Sequence, residues 1–518
     1  MQPMTAAPTA RTASADAGPP AEPVRSRPRT SRSGSQLGWP WPVAAIVLSV
    51  LGALWPIPTL ILLVAVAAIV LAIAAPRATA GITALVVLFV RPIEYLVPVS
   101  QVGYLDEALV VLCLITMPLK RVVARQSLRT FPGQWWFAGF IVCGLLSALL
   151  LHVPVAIFLT GAFVISKGLL FGWAVAQIDW TEQHLVRAAR TGAVLIVLSL
   201  VAAAVNLMMP TAWNAILSSD TNATEARSFL PSLIGPFTHP IDFGQFMALS
   251  FIAVTTWRTA VRKTPFTLVL LCATALGVLG SARRTAAGGI VAGWLWVQAQ
   301  LRSTAVLMAL LAGVPVAAVV LAAPLGQVVT TTYNDYLGNG NPEARTVLTR
   351  DSFAVAADHF PGGAGFGRFG SAIAATNYSP EYVARGYPDI WGLGRTAEDG
   401  RFLTDTEWPA IIGETGFFGA LAFALGLAGI YRAGVRLWRR GRSPLTRWVG
   451  LTASGWLVAG LVQSVATVTF TGPPAFGVLF GIAGILAALS RTGDDDSAPS
   501  DTRPPAVRRS ALMRVVGR

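Results

Sequence analysis

The stretch LLCATALGVLGSARRTAAGGIVAGWLW, Leu270–Trp296, sets two apolar runs end to end with Arg283 and Arg284 between them. A straight membrane crossing needs about 20 predominantly apolar residues. An Arg held at the bilayer centre costs at least ~2.5–3.5 kcal/mol on insertion scales. The stretch therefore reads as a membrane hairpin of two helices, with the arginine pair at its turn. Composition extends that reading to the whole chain. The 518 residues are 54% hydrophobic and only 12% charged, whereas globular chains carry roughly 25% charged residues. The expected fold is all-α, a polytopic bundle built helix against helix in lipid.

The formal charge of +14 raises nucleic acid as a partner. Its distribution rejects that reading, because the basic residues sit in short loops and in the tails, as in the cytoplasmic loops of membrane proteins. Cys113, Cys143 and Cys272 lie inside separate apolar runs and read as small packing residues rather than a disulfide framework or metal cluster. Residues 1–37 are mostly Pro, Ala, Ser, Thr and Arg, with little to bury, and read as a disordered cytoplasmic tail. Residues 491–518 read the same way, and 38–490 as the bundle.

Apolar runs fall near 41–55, 57–75, 80–98, 104–119, 133–151, 154–176, 187–209, 241–257, 265–281, 285–300, 304–324, 408–430, 446–467 and 474–490. Some are short for a crossing, so about twelve to fourteen transmembrane helices are expected. With the N-terminus inside, the inward connections and their edges collect Arg77, Lys120, Arg121, Arg125, Arg129, Arg187, Arg190, Arg258, Arg262, Lys263, Arg302 and the group from Arg432 to Arg447. The short outward connections hold only Arg91, Arg227, Arg283 and Arg284. This asymmetry places both termini in the cytoplasm.

The long connection over 324–407 then faces outward. Structureless loops beyond ~12–15 residues are uncommon unless functional or disordered, and this one carries a helix signal. In NPEARTVLTRDSFAVAADHFPGG, Asn341 can cap, Pro342 suits the first helical position and Glu343 the first turn, with a stop at Pro361-Gly362-Gly363. Arg345, Ser352 and His359 would share one face and Arg350 another. The loop ends in FLTDTEWPAIIGETGFFGALAFALG, where Asp405 and Glu407 precede the membrane and Glu414 lies just inside it. An earlier outward loop carries Arg227, His239 and Asp242. Arginines gathered with carboxylates at an outer membrane face point to an anionic headgroup substrate. Guanidinium grips phosphate oxygens through a bidentate fork, and a carboxylate can take a proton from an attacking hydroxyl. The competing reading is that these charges pair with one another and hold the loop on the bundle.

Gly365-Phe366-Gly367-Arg368-Phe369-Gly370 matches G-x-G-x-x-G, but it follows a helix and lacks the βαβ context of a dinucleotide site. No two histidines have metal-ligand spacing. Gly168-x-x-x-Gly172 and Gly289-x-x-x-Gly293 read as close helix packing.

From about Pro231 to Tyr431 the chain resembles the O-antigen ligase and O-antigen polymerase (Wzy-like) membrane glycosyltransferases. The matching features are an S-x-R-R element, Ser281–Arg284, at an outer helix junction, then a large outer loop with an Arg-bearing helix from Arg345. Pro361 and a Gly-x-Gly turn at Gly365 and Gly367 follow. An E-x-G-x-x-G segment, Glu414, Gly416 and Gly419, enters the first of the last three spans. Ligases of the family show a His-Asn pair before that segment, where this chain has Asp405-Thr406.

The resemblance implies a donor glycan on a polyprenyl pyrophosphate at the outer leaflet of the plasma membrane, and a metal-independent, inverting transfer without cofactor to a glycan or lipid acceptor. Arg283, Arg284 and Arg345 would hold the leaving pyrophosphate. Asp405 or Glu407 would be the base. Arg227, His239, Arg350, Arg368 and Glu414 complete the expected substrate contacts. Polymerase-type extension of a surface polysaccharide is the leading expectation, and ligase-type transfer of finished polymer the second. A transporter or flippase is the rival from another class, with Lys167 as its main intramembrane charge.

Overall fold

A computed structural model describes residues 55–217, 232–301, 344–396 and 398–495. The N-terminal tail, the first expected span up to residue 54, the span at 304–324, Arg227, the Asn341–Glu343 start signal and residues 496–518 lie outside the described residues. Met1–Val66 and Ala67–Arg518 are separate compact units.

Every long described element is an α-helix, and no strand occurs among the described residues. The order is α1 (Pro56–Ala74), α2 (Pro76–Leu96), α3 (Leu105–Val123), α4 (Gln134–Leu150), α5 (Val155–Ala176), α6 (Glu182–Met208), α7 (Pro210–Leu217), α8 (Pro240–Ala260), α9 (Pro265–Gly280) and α10 (Arg284–Leu301). After residue 343 come α11 (Ala344–Asp358), the short α12 (Ala372–Thr376) and α13 (Pro380–Ala384), then α14 (Glu407–Arg440), α15 (Pro444–Gln463) and α16 (Ala475–Asp495). Six helices among the described residues are long and apolar enough to cross a membrane: α2, α3 with its preceding turn, α5, α6, α14 and α15. The chain is an all-α polytopic membrane bundle.

Local sequence explains where these helices start. Proline stands in the first turn of α2, α8, α9 and α15, where its missing N–H costs nothing. Thr264 with Thr267, and Ser443 with Thr446, form reciprocal capping boxes. The helix α8 carries Gln245, Ser250, Thr255 and Thr256 because neighbouring helices bury it. Thr256 meets Thr452 at 2.6 Å, Gln245 donates to Thr469 Oγ1 at 3.0 Å, and Trp456 donates to Leu249 O at 2.6 Å. Such bonds join helices in a medium with no water to satisfy them. The two Gly-x-x-x-Gly stretches do lie at close contacts. A Cβ on Gly172 would stand 2.7 Å from Phe480 O on α16, and one on Gly293 3.3 Å from Gly455 O on α15.

The connections expected to face inward gather at one end. Arg77 donates to Asp179 O, Lys120 to Ile73 O, and Arg129 to Ile178 O, each at 2.8 Å. Several of these basic residues thus satisfy carbonyls that helix C-termini leave open. At the other end the strap Gly362–Ser371 runs through the bundle instead of lying on it. Phe366 is fully buried and meets Phe140 edge-on at 5.8 Å, in space that Gly144 leaves open. Ser147 Oγ donates to Gly363 O. The G-x-G-x-x-G pattern is therefore a packing device, since side chains at Gly365 and Gly370 would strike the backbone of Ala148 and Ala410.

The strap answers a break in α14. Gly416, at φ 68° and ψ −174°, splits it into a half-helix, Glu407–Thr415, and a spanning segment, Phe417–Arg440. The break frees carbonyls, and the strap fills them: Ala364 N–H donates to Gly413 O at 2.8 Å and Gly365 N–H to Glu414 O at 3.0 Å. Irregular backbone at membrane depth is tolerated only when protein buries it in this way. A Gly416→Ala side chain would stand 2.4 Å from the Gly362 carbonyl, in a conformation open essentially to glycine alone. The variant should dislodge the strap and expose 362–371 to protease in detergent. Unchanged cleavage would refute this account.

Candidate functional site

Arg345, in the first turn of α11, reaches Asp405 just before α14. Its Nε donates to Asp405 Oδ2 at 2.6 Å, a second guanidinium nitrogen also reaches that oxygen, and the cation stacks over Phe402 at 5.2 Å. Both side chains stay about one-fifth exposed, 21% and 22%. The pair sits at the rim, where it is accessible and partly desolvated.

A second pair lies beside it. Arg91 follows the kink of α2 at Phe89, which Pro92 explains, because its ring clashes with the preceding turn and it lacks an N–H. Arg91 Nη1 donates to both carboxylate oxygens of Asp242, at 2.7 and 2.8 Å, and also feels the charges of Glu94 and Asp405. Asp242 is 3% exposed while Arg91 keeps 44% of its side chain open. The sequence placed Arg91 on an outward connection but did not assign it to the site, since its partner is 151 residues away and no motif links them.

The turn between α9 and α10 touches the same region. Ser281 is buried and closes α9 by donating to Val278 O at 2.7 Å, Ala282 takes a left-handed turn at φ 53°, and Arg284 opens α10. Ser281 packs on Gly244, where a Cβ would stand 2.6 Å from its hydroxyl, two residues beyond Asp242. The end of the bundle that carries Arg345–Asp405 therefore also carries Arg91–Asp242 and the Arg283–Arg284 turn.

The other expected residues lie in different settings. Glu407 is buried and accepts from the backbone N–H groups of Thr469 at 2.6 Å and Phe470 at 2.9 Å, clamping the turn between α15 and α16. Glu414 is fully buried and accepts from Phe369 N–H at 3.2 Å and Ser371 Oγ–H at 2.5 Å, which fixes the strap. Each carboxylate sits in a nest of backbone donors. Glu407, Ile411 and Glu414 do share a buried face. His239 caps α8 by accepting from Ile241 N–H at 3.1 Å. Arg350 is exposed beside Asp351 at 3.0 Å. His359 meets Glu381 at 3.1 Å, and lies ~21 Å along α11 from Arg345 at 1.5 Å per residue. Arg368 lies in the strap, its Nε buried with no hydrogen-bond partner among the described residues. Behind Phe369, burial raises the phenols of Tyr382 and Tyr387 far above the usual range, so both remain neutral donors or acceptors. No metal-ligand grouping occurs among the described residues.

Two more features flank the site. Lys167 is not alone in the membrane: its Nζ lies 2.7 Å from Asp106 and 2.5 Å from Glu107, and 5.3 Å from the centre of the Phe476 ring. Between α2 and α6 a groove of about 370 Å³ is lined by Leu85, Phe89, Ile93, Leu195, Leu198 and Pro236. Phe89 and Ile93 stand either side of Arg91 in sequence, but positions two apart on a helix do not share a face, and Arg91 is not part of the groove's lining. Guanidinium forks at the rim suit an anionic group. No protein-family model matches the sequence, and no curated protein matches it.

Proposed function

We propose that this membrane protein transfers oligosaccharide units from a polyprenyl pyrophosphate carrier to a growing surface polysaccharide, at the outer face of the plasma membrane and with both termini in the cytoplasm. The observation that carries the reading is the partly exposed Arg345–Asp405 pair beside Arg91–Asp242, at the end of the bundle that the charge asymmetry turns outward. The resemblance to O-antigen polymerases and ligases supports it.

In this reading Asp405 takes the proton of an acceptor sugar hydroxyl. The oxygen attacks the anomeric carbon, and the carbon–oxygen bond to pyrophosphate breaks from the opposite side, inverting the centre. The pyrophosphate leaves with the electron pair, and Arg283, Arg284 and Arg345 stabilise its growing charge. Asp405 is favoured over Glu407 as base because the Glu407 carboxylate is buried and already clamps backbone N–H groups.

A transporter or flippase is the second reading, favoured by the buried Lys167–Asp106–Glu107 cluster and the breaks at Phe89 and Gly416, since broken helices and buried charge mark transport sites. The size and sidedness of lipid-linked glycans in a strain lacking the protein tell the readings apart. Single units accumulating on the carrier at the outer leaflet are expected. Long polymer accumulating there would make the protein a ligase. Units trapped at the inner leaflet would replace transfer with transport.

A further inference from the structure

At the opposite end of the bundle, a cleft of about 460 Å³ opens between the start of α2, the end of α3 and the start of α6. Arg77, Lys120, Arg121 and Arg187 line it, with Asp179 as the acidic member. That carboxylate is already engaged by Arg121 and Arg129. Arg187 makes no ion pair among the described residues, and the charges of Arg77 and Arg187 both act on His184 between them. The helix α2 enters the cleft with no side-chain cap and no acidic residue in its first turn, so its dipole adds to the positive field. The cleft is strongly cationic, and its bonds to Asp179 O, Ile73 O and Gln177 O hold the cations in place.

Its walls show what kind of anion fits. Met117 and Ile178 line the interior beside Ala74, Ala75 and Pro76. At its lip Ile73, whose carbonyl holds Lys120, is 46% exposed. A soluble anion gains nothing from those surfaces, whereas an amphiphile lays its chains along them. We infer that this cleft binds the phosphate of an anionic glycerophospholipid, with an acyl chain laid against Ile73 and the apolar wall at Met117 and Ile178. The site is separate from the proposed transfer site and does not depend on that reading.

The test uses the full-length protein purified in detergent, with bound lipid counted by native mass spectrometry as phosphatidylglycerol or phosphatidylcholine is titrated in. One tightly held phosphatidylglycerol is expected, with phosphatidylcholine bound far more weakly. A basic residue near an anionic lipid surface is worth about fivefold in binding, so Arg187→Gln should weaken phosphatidylglycerol by about fivefold. Arg77→Gln/Arg187→Gln should weaken it roughly 25-fold by the same measure. Arg187 is exposed and in no ion pair among the described residues, so its variant keeps the fold. Arg190→Gln removes an equal charge from the same helix outside the cleft and should change nothing. Equal loss from Arg187→Gln and Arg190→Gln would overturn the site in favour of general surface attraction. Displacement of the lipid by inorganic phosphate at matching concentration would overturn the lipid assignment in favour of a free-phosphate site.

Discussion

Arg284→Ala should abolish glycan transfer while the protein still inserts and folds. In the proposed transfer the leaving pyrophosphate gains charge as its bond breaks, and a donor aimed at that charge is worth about 10²–10³ in rate when water is excluded. Arg284 opens α10, so the positive end of the helix dipole adds to its guanidinium. The buried contact with Gly244 is made by Ser281, and the left-handed residue of the turn is Ala282. Membrane insertion and thermal midpoint should therefore stay close to native. The assay is transfer from lipid-linked donor in membranes, with Arg284→Lys as a companion, because a point charge replaces the fork only in part. Native rates in Arg284→Ala would remove this residue from the mechanism.

Lys167→Met should be the most damaging single change to stability. It leaves Asp106 and Glu107 side by side with no cation, and breaking a buried pair by removing one partner costs about 3–5 kcal/mol. The thermal midpoint in detergent should fall and aggregate should appear at size exclusion. The triple variant Lys167→Met/Asp106→Asn/Glu107→Gln removes the uncompensated charge and should recover most of the loss. A triple variant no better than the single one would show that Lys167 contributes through its contact with Phe476 instead of through charge.

Much of the fold was legible because hydropathy and chain punctuation are local. The runs at 133–151 and 154–176 became α4 and α5 within a residue or two, and the expected loop helix around Arg345 is α11, which ends at Asp358. The pairings were not legible. Lys167 meets its partners across 60 and 61 residues and Arg91 across 151, and no spacing rule couples side chains on different spans. The break at Gly416 was also hidden, because a lone glycine inside a helical pattern is usually tolerated. It appears only when the strap arrives to accept the task of bonding the freed carbonyls. The same distinction separates the carboxylates: Asp405 and Glu407 are two residues apart in sequence, yet one lies at the rim and the other is enclosed.

The strap also sets the timetable of biogenesis. Gly144 and Gly161 leave hollows on α4 and α5 that Phe366 and Gly367 later occupy, and the strap in turn needs Gly413 and Glu414. A ribosome adding ~5–20 residues per second takes roughly 13–50 s to travel from residue 161 to residue 416. Throughout that interval the early helices wait in the bilayer with open, glycine-floored notches. A chain that stalls before α14 emerges would carry these notches permanently, as an unfinished surface for a membrane chaperone or protease to read.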